Sequence, residues 1–330
     1  MRFDAIEAEK ATYPIALMCR VLEVSRAGYY ASRGRPESDR TRANRQLATK
    51  IREVHEGSRG AYGSPRVYVE LRESGYAVGR HRVARLMRRE GLVARKKRRF
   101  RTTTQSNHSE PVARNVLARN FDVRRLNRVW AGDITYLPTA EGWLYLAVLL
   151  DLCSKAVVGW AMSEELDASV ALAALRMALE RRRPASGLVH HSDRGVQYAS
   201  ESYRRALVAN GLVPSMSRKG NCWDNAPAES FFGTLKTELV RDRVFSSRAV
   251  ARTEVFEYLE VFYNRTRRHS SLGYISPAEF ERRISPARAV KKTSVLRYRT
   301  FGAPRAGGAS PMGLPATSTG ASASTQHLAT

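Results

Sequence analysis

The sequence predicts an α/β protein in which a mixed sheet with flanking helices follows a helical, strongly basic region. Three observations lead to this fold class. Apolar residues recur at helical spacings up to about residue 100, the period changes to that of strands at residue 129, and helices alternate with two further strands after residue 167. At 330 residues, the chain is long enough for two or three domains.

The overall charge gives the first functional indication. Lys and Arg number 56 against 31 Asp and Glu, which gives a net charge of +25. A surplus this large predicts a polyanionic partner, with nucleic acid ahead of an anionic membrane. The longest apolar run, residues 143–150, is far shorter than the roughly 20 residues of a membrane span. With no apolar secretory stretch at the N-terminus, we expect no membrane partner and a cytoplasmic location.

The three cysteines are few and far apart. Cys19, Cys153 and Cys222 form no CxxC pair. Neither a disulfide framework nor a cysteine-based zinc site is therefore expected.

The first part of the chain, residues 1–40, is predicted to be a helical segment with a linker. Residues 13–30 place apolar side chains at helical spacings, and we expect this small helical unit to end near Gly28. Residues 33–40 are polar and contain a proline, as is typical of a linker.

Residues 41–101 predict a helix-turn-helix DNA-binding region. A helix over residues 44–56 comes first, and Pro65 can begin a second one that ends at Ser74-Gly75. A third helix over residues 79–90 carries Val83, Leu86 and Met87 on one side. The second and third of these helices have the spacing of a helix-turn-helix.

Eleven Lys or Arg and a single acid lie between residues 80 and 101. So many like charges repel one another unless phosphates neutralise them. The alternative is a merely solvated basic face, which the helix-turn-helix spacing makes the weaker interpretation. The candidate DNA contacts are Arg80, Arg82, Arg85, Arg88, Arg89, Arg95, Lys96, Lys97, Arg98 and Arg99. Residues 102–125 follow as a polar connector.

A core domain is predicted over residues 126–283. Its first three strands are separated by short turns, as in antiparallel neighbours, and Asp167 can cap the first helix. The strands are predicted at 129–136, 143–150, 156–161, 188–191 and 213–216, and the helices at 168–182, 198–210, 226–240, 248–263 and 278–283. This order predicts a mixed five-stranded sheet with flanking helices. Residues 284–330, basic and then rich in Ala, Gly, Ser and Thr, are expected to form a disordered tail.

The stretch NCWDNAPAESFFGTLKTEL, residues 221–239, has the most distinctive pattern. Asn225 can cap a helix whose first turn accommodates Pro227. On that helix, Glu229, Gly233 and Lys236 recur at i, i+4 and i+7, so a carboxylate and an ammonium share one stripe. Another side is apolar and suited to packing, with Phe231, Phe232, Leu235 and Leu239.

Three acids are candidates for one site. Asp133 interrupts an apolar strand, Asp193 directly follows a strand, and Glu229 lies in the first turn of a helix. Taken alone, each has an ordinary explanation as an edge-strand acid, a turn former or a helix-dipole partner. Asp193 and Glu229 are separated by 35 residues, and together the three suggest carboxylates that hold metal ions.

Other polar and aromatic residues have more ordinary interpretations. His190 and His191 face opposite ways on a strand, and we expect a buried, hydrogen-bonded histidine rather than a zinc ligand. Turn formation explains Asp151, and helix capping explains Asp224. Trp223 is expected to pack, with stacking on an unpaired base as the alternative.

Four blocks of the sequence resemble those of insertion-sequence transposases of the "IS three" group. The similar proteins are the second-frame (OrfB) transposases, which have a retroviral-integrase-like DDE catalytic core. The blocks are WAGDITY, HHSDRGVQY, NCWDNAPAESFFGTLKTEL and YNRTRRHSSLGYISPAEF, and the resemblance covers about residues 62–279. Two features depart from the group's pattern: the tail after Ala303, and the absence of a leucine-zipper heptad before Tyr13.

The resemblance implies a ribonuclease-H-like core that cleaves DNA and transfers the strands. Asp133, Asp193 and Glu229 match the triad that binds two Mg²⁺ ions, or Mn²⁺ in their place, and Lys236 matches a residue that touches terminal DNA phosphates. Oxygen-only ligands suit such hard cations. One ion can activate water or a DNA 3′-hydroxyl while the other stabilises the leaving oxygen.

The resemblance also implies the partners: the terminal inverted repeats of the element, target DNA, further copies of the chain on that DNA, and an upstream-frame (OrfA) protein as partner or fusion. For the location, the resemblance implies a bacterial protein associated with the nucleoid in the cytoplasm. A catalytically inactive DNA-binding protein derived from a transposase is the alternative function, and it would need no metal. A nuclease on RNA–DNA hybrids would share the metals but would not need so extensive a DNA-binding N-terminus.

Overall fold

The computed structural model describes residues 2–95, 109–219, 221–241 and 243–285. Three sequence predictions fall outside these ranges. They concern the tail after residue 285, the start of the connector, and the four basic residues Lys96, Lys97, Arg98 and Arg99.

The N-terminal segment forms three short helices around a small core of its own. Helices α1 (Arg2–Glu9), α2 (Ile15–Val21) and α3 (Arg26–Gly34) bury apolar side chains against one another. The prediction that a helical unit ends near Gly28 is wrong. The hydroxyl of Ser25 accepts a hydrogen bond from the Gly28 amide at 2.9 Å, which caps a new helix instead.

The predicted helix-turn-helix region is present as three helices. They are α4 (Asp39–Gly57), α5 (Ser64–Glu73) and α6 (Arg80–Arg89). As the spacing predicted, Val83, Leu86 and Met87 are buried, and they pack against apolar side chains of α4 and α5. The exposed arginines of α6 lie on the side of the helix away from this core.

Five strands form one mixed sheet in the order β3-β2-β1-β4-β5. Strands β1 (Val129–Thr139), β2 (Gly142–Asp151) and β3 (Val157–Ser163) are antiparallel neighbours. Strands β4 (Val189–Ser192) and β5 (Val213–Met216) continue the sheet in parallel from β1. This is the ribonuclease-H-like arrangement, and it confirms the predicted fold class.

Helices α7 (Ala168–Arg182), α8 (Val196–Ala199) and α9 (Glu201–Ala209) cover one face of the sheet. Asp167 caps α7 as predicted, because its carboxylate accepts from the Ser169 amide at 3.0 Å. The prediction of a single helix over residues 198–210 is wrong. The chain turns at Ser200, and the side chain of Ser200 caps α9.

The other face is covered by α10 (Ala226–Leu235) and α11 (Arg248–Phe256), each of which continues into a wider π-helical turn. Those turns cover Lys236–Val240 and Glu257–Tyr263. The apolar residues predicted on α10 and its extension are all buried: Phe231, Phe232, Leu235 and Leu239. Helix α12 (Pro277–Ile284) ends the described chain.

The basic segment before α12, residues 265–269, is largely buried. Arg267 donates to both carboxylate oxygens of Glu238, and Arg268 bonds to Glu70 and Glu73 of α5. The main-chain amide of Arg268 also donates to the Tyr62 hydroxyl at 2.7 Å. These contacts join the helical region to the sheet domain through paired charges.

Candidate active site

Asp133 lies near the middle of β1, the central strand of the sheet. Its side chain is half-buried, and its Oδ1 accepts a hydrogen bond from the Ile134 amide at 2.8 Å. Because side chains alternate along a strand, Asp133 shares a face with Ala131. Ala131 packs with Ala228, so this is the face that α10 covers.

Asp193 is the first residue after β4, beside Asp133. The parallel register pairs Gly132 of β1 with Ser192 of β4, so the two acids are the next residues along adjacent strands. Neighbouring strands are roughly 4.8 Å apart. The half-buried Asp193 also accepts from the Gly195 amide at 2.9 Å, which fixes the turn after the strand.

Glu229 lies in the first turn of α10 and is half-buried. Burial raises the pKa of Asp133 well above its usual range, and the charges of Asp193 and Glu229 raise it further. Burial and the charge of Asp193 raise the pKa of Glu229 as well. Each of the three acids therefore acts electrostatically on at least one of the others.

The donor set fits a hard divalent cation, because it consists of carboxylate oxygens and positive charge would relieve their repulsion. Within the described residues, no three His, Cys, Asp or Glu side chains are already close enough together to hold a metal ion.

Lys236 begins the π-helical turn after α10, seven residues beyond Glu229. Its ammonium lies 4.8 Å from the centroid of the Tyr136 ring. Burial lowers the pKa of Lys236, while the charges of Tyr136 and Asp133 oppose that shift. The lysine therefore lies in the electrostatic field of Asp133.

A cleft of about 500 Å³ opens beside Asp133 and Asp193. One wall is aromatic: Tyr136 and Trp143 meet edge to face with ring centroids 4.9 Å apart. Trp143 is 49% exposed, which leaves an apolar surface next to the carboxylates. Sequence reasoning missed these two aromatic residues, because both resemble ordinary strand residues.

The loop before α10 is held by a buried charge that the sequence analysis assigned to helix capping. Asp224 is 0% exposed and accepts hydrogen bonds from Arg218, Arg119 and Asn115. The bonds from Arg218 hold the pKa of Asp224 well below its usual range. Asp224 thus anchors the turn that leads to Glu229, and the prediction that it caps a helix is wrong.

Asn225 takes the predicted N-cap position of α10 but does not cap the helix with its side chain. Its side chain makes no cap hydrogen bond and instead donates from Nδ2 to the main-chain oxygen of Gly132 at 3.4 Å. This contact joins the start of α10 to the residue before Asp133.

Both strand histidines are buried and bonded within the protein. His190 contacts the Tyr203 hydroxyl at 3.0 Å, and His191 contacts the hydroxyls of Ser215 and Ser217. Burial lowers the pKa of His190 to about 3 and that of His191 to about 4. Trp223, which we expected to pack, is instead 69% exposed.

Most of the arginines predicted on α6 are exposed, namely Arg80, Arg85, Arg88 and Arg89. Arg82 is half-buried and donates to the side chain of Asn44 at 2.9 Å. Arg95 folds back, with its amide donating to the oxygen of Gly60. The surface of α6 therefore remains basic, although the side chains of Arg82 and Arg89 bond to Asn44 and Glu90 within the protein.

No described helix combines the length and the apolar character that crossing a membrane requires.

Three family descriptions match the chain. "Integrase core domain" matches residues 123–222 and, as a second family of the same description, residues 229–284. "HTH-like domain" matches residues 42–100.

Curated bacterial proteins are similar over most of the chain. A 31 kDa protein of insertion element IS600 from Shigella sonnei is 48% identical over 80% of this chain and 97% of its own. Transposase InsF of insertion sequence IS3A from Escherichia coli is 44% identical over 85% of this chain and 98% of its own.

Among solved structures, a simian T-cell lymphotropic virus intasome matches with 15% identity and a TM-score of 0.42, over 72% of this chain and 75% of that one. The HTLV-2 integrase catalytic core domain in complex with magnesium matches with 13% identity and a TM-score of 0.35, over 47% of this chain and 95% of that one.

Proposed function

The chain belongs to the transposases of IS3-type insertion sequences, and we propose that Asp133, Asp193 and Glu229 are the carboxylates with which it cleaves and joins DNA. The observation that carries this proposal is the register of β1 and β4, which makes Asp133 and Asp193 neighbours on adjacent parallel strands. Their repulsion, which Glu229 shares, gives further support.

The three acids would hold two Mg²⁺ ions, or Mn²⁺ in their place. Bound there, the ions supply Lewis-acid stabilisation of the charge that develops on the phosphate during an in-line displacement. The acids come from a central strand, a strand end and a helix. These elements belong to the packed sheet and to a helix that covers it, so the backbone at the three positions is held while the side chains can close around the ions.

Lys236 is proposed to contact the terminal phosphates of the DNA. It lies seven residues beyond Glu229 on the same side of the helix, and its ammonium already lies within the field of Asp133. A phosphate oxygen beside Asp133 would gain a charge-assisted hydrogen bond from this lysine. Strand transfer of this kind requires no covalent protein–DNA intermediate.

The helix-turn-helix region is proposed to bind the terminal inverted repeats of the element. The exposed arginines of α6 support this role, because they can neutralise phosphates; within the described chain, Arg89 alone among them pairs with Glu90, the residue that caps the end of the helix. Target DNA would then reach the carboxylates, and further copies of the chain would assemble on the DNA. An upstream-frame protein is proposed as a partner or fusion.

Cleavage and strand transfer of element-end DNA with Mg²⁺ test the catalytic assignment. Asp193→Asn should abolish both steps, because it removes one of three shared charges while keeping the shape of the side chain. Asp122→Asn is the matched control, since that carboxylate is 74% exposed and paired with Arg124. Wild-type rates in the Asp193→Asn protein would remove the proposed role.

The inactive DNA-binding alternative makes a different prediction. A protein without the metal site should melt at the same temperature with and without Mn²⁺, whereas ions bound by the folded state raise the melting temperature. The presence of all three acids together with Lys236 argues against the inactive form.

A further inference from the structure

A cavity of about 490 Å³ lies on a second side of α10. Ser230, Thr234 and Thr237 line it, each one residue after a member of the Glu229–Gly233–Lys236 stripe. Its other walls come from α5, the turn after β2 and the segment before α12. We call it the Arg66 cavity, after the arginine of α5 that faces α10 across it.

The Arg66 cavity is lined by four cations and one carboxylate among the described residues: Arg66, Arg95, Lys155, Arg267 and Glu238. Glu238 already accepts hydrogen bonds from Arg267 at 2.7 and 2.8 Å and from the Tyr258 hydroxyl at 2.8 Å. The charge of Glu238 is therefore compensated by Arg267. Among the described residues, no salt bridge joins Arg66, Arg95 or Lys155 to a carboxylate, and the Lys155 ammonium donates to the main-chain oxygen of Leu152 at 2.6 Å.

Arg66 is the least satisfied of these cations. Its Nε is buried and has no hydrogen-bond partner. Its guanidinium lies 5.6 Å from the centroid of the Tyr62 ring, which fixes the plane of the group but supplies no acceptor. A buried donor without an acceptor is destabilising, so an acceptor that entered the cavity would be held.

The charged side chains that line the cavity are mainly positive. Burial lowers the pKa of His269 to about 2, with the charges of Arg267, Arg66 and Lys155 adding to the effect. Burial also lowers the pKa of Arg66, and the charge of Arg267 lowers it further. These groups repel one another, and an anion among them would remove that repulsion.

We propose that the Arg66 cavity binds a phosphate group. Arg66 and Lys155 supply charged donors from two different elements, and the N-terminal turn of α10 adds its dipole. The volume exceeds that of a lone phosphate, so the group can carry a flanking sugar. The source is either a phosphodiester of bound DNA or free phosphate.

The Arg66 cavity is separate from the three carboxylates, but α10, which lines the cavity, also carries Glu229. A phosphate here would bridge the helix-turn-helix region, which supplies Arg66, and α10, which carries Glu229. Its occupation would thus stabilise the contact between the DNA-binding region and the helix of the candidate active site.

Thermal melting of the full chain without divalent ions tests whether phosphate binds. Sodium phosphate should raise the melting temperature more than sodium chloride at the same ionic strength, because only the folded state has the cavity. Arg66→Gln should weaken phosphate binding roughly tenfold or more. Arg72→Gln, which removes one exposed charge from the same helix, should leave the phosphate effect intact.

Two further variants guard against loss of folding. Lys155→Gln removes a cation from a different element and should reproduce the loss of phosphate binding. Arg66→Lys keeps the charge and should retain part of the effect. Asp193→Asn should respond to phosphate like the wild type, so that failure of the catalytic proposal and failure of this one are distinguishable.

Binding of an element-end duplex at constant ionic strength identifies the source of the phosphate. If the cavity holds DNA backbone, inorganic phosphate competes with the duplex, and Lys155→Gln lowers the slope of log affinity against log salt by about one. Phosphate binding without competition identifies free phosphate as the ligand. Equal melting of the wild type in phosphate and chloride, or equal phosphate shifts in Arg66→Gln and Arg72→Gln, overturns the proposal.

Discussion

Replacing Asp193 with Asn should make the metal-free protein more stable while it abolishes activity. Asp133 and Asp193 are the next residues after a paired position on adjacent strands. Two charges at roughly the 4.8 Å spacing of neighbouring strands, with an effective dielectric constant of about 20, repel by about 3 kcal/mol. Partial exposure and proton uptake by Asp133 reduce this, so we expect a gain of about 1–2 kcal/mol.

The substitution is well matched to the question. An asparagine keeps the Oδ1 that accepts from the Gly195 amide at 2.9 Å, so the turn after β4 is preserved. Melting in EDTA should show the variant a few degrees above the wild type. Added Mg²⁺ should stabilise the wild type more than the variant, so that the order of their melting temperatures reverses as the metal concentration rises.

Two results would contradict, respectively, the predicted repulsion and the role of Asp193 as a metal ligand. A metal-free Asp193→Asn protein that melts at or below the wild-type temperature would mean that the acids do not repel one another. Equal stabilisation of both proteins by Mg²⁺ would mean that Asp193 is not a ligand. Asp122→Asn, at an exposed position, should change neither quantity.

Three other predictions follow from particular contacts. Asp224→Asn should lower the free energy of unfolding by about 2 kcal/mol, because Arg218 loses its charged acceptor, and urea titration measures this; strand transfer should fall with it. Arg85→Gln should reduce the salt slope of DNA binding by about one in an anisotropy titration. The free energy of unfolding should decrease as the pH falls from about 6.5 towards 3. Burial lowers the pKa of His190 to about 3 and that of His269 to about 2, so in this range both histidines take up protons in the unfolded chain but not in the folded one. Urea titrations at several pH values measure the change.

The fold could be predicted because its elements follow from local patterns. Strands β1 to β3 are apolar runs separated by short turns, and the cap at Asp167 and the Ser276-Pro277 start of α12 are local signals. The two breaks that were missed, before α3 and before α9, both fall at a serine that caps the next helix. A capping hydroxyl inside a helical pattern is a weak signal, because serine is also tolerated within helices.

The elements that carry the three acids were predicted from the sequence, but their surroundings were not. Asn225 and Asp224 look like capping residues, since both types commonly begin helices. In the structure each makes a long-range contact instead, Asn225 with Gly132 and Asp224 with Arg119. Such contacts depend on how the strand and the connector lie against α10, and no short stretch of sequence contains that information.

The basic segment before α12 shows why charge alone could not locate the DNA-binding surface. Arg267 and Arg268 look like further phosphate contacts, yet they are 5% and 9% exposed and bonded to acids. Arg268 holds two acids of α5, and the neighbouring Arg267 holds Glu238 in the turn that extends α10. The Arg267–Glu238 pair is buried and multiply bonded and permits few alternative geometries, because breaking it leaves a charge without a partner, whereas Glu70 and Glu73 are partly exposed. These arginines therefore fix the helix-turn-helix region relative to the helix that carries Glu229.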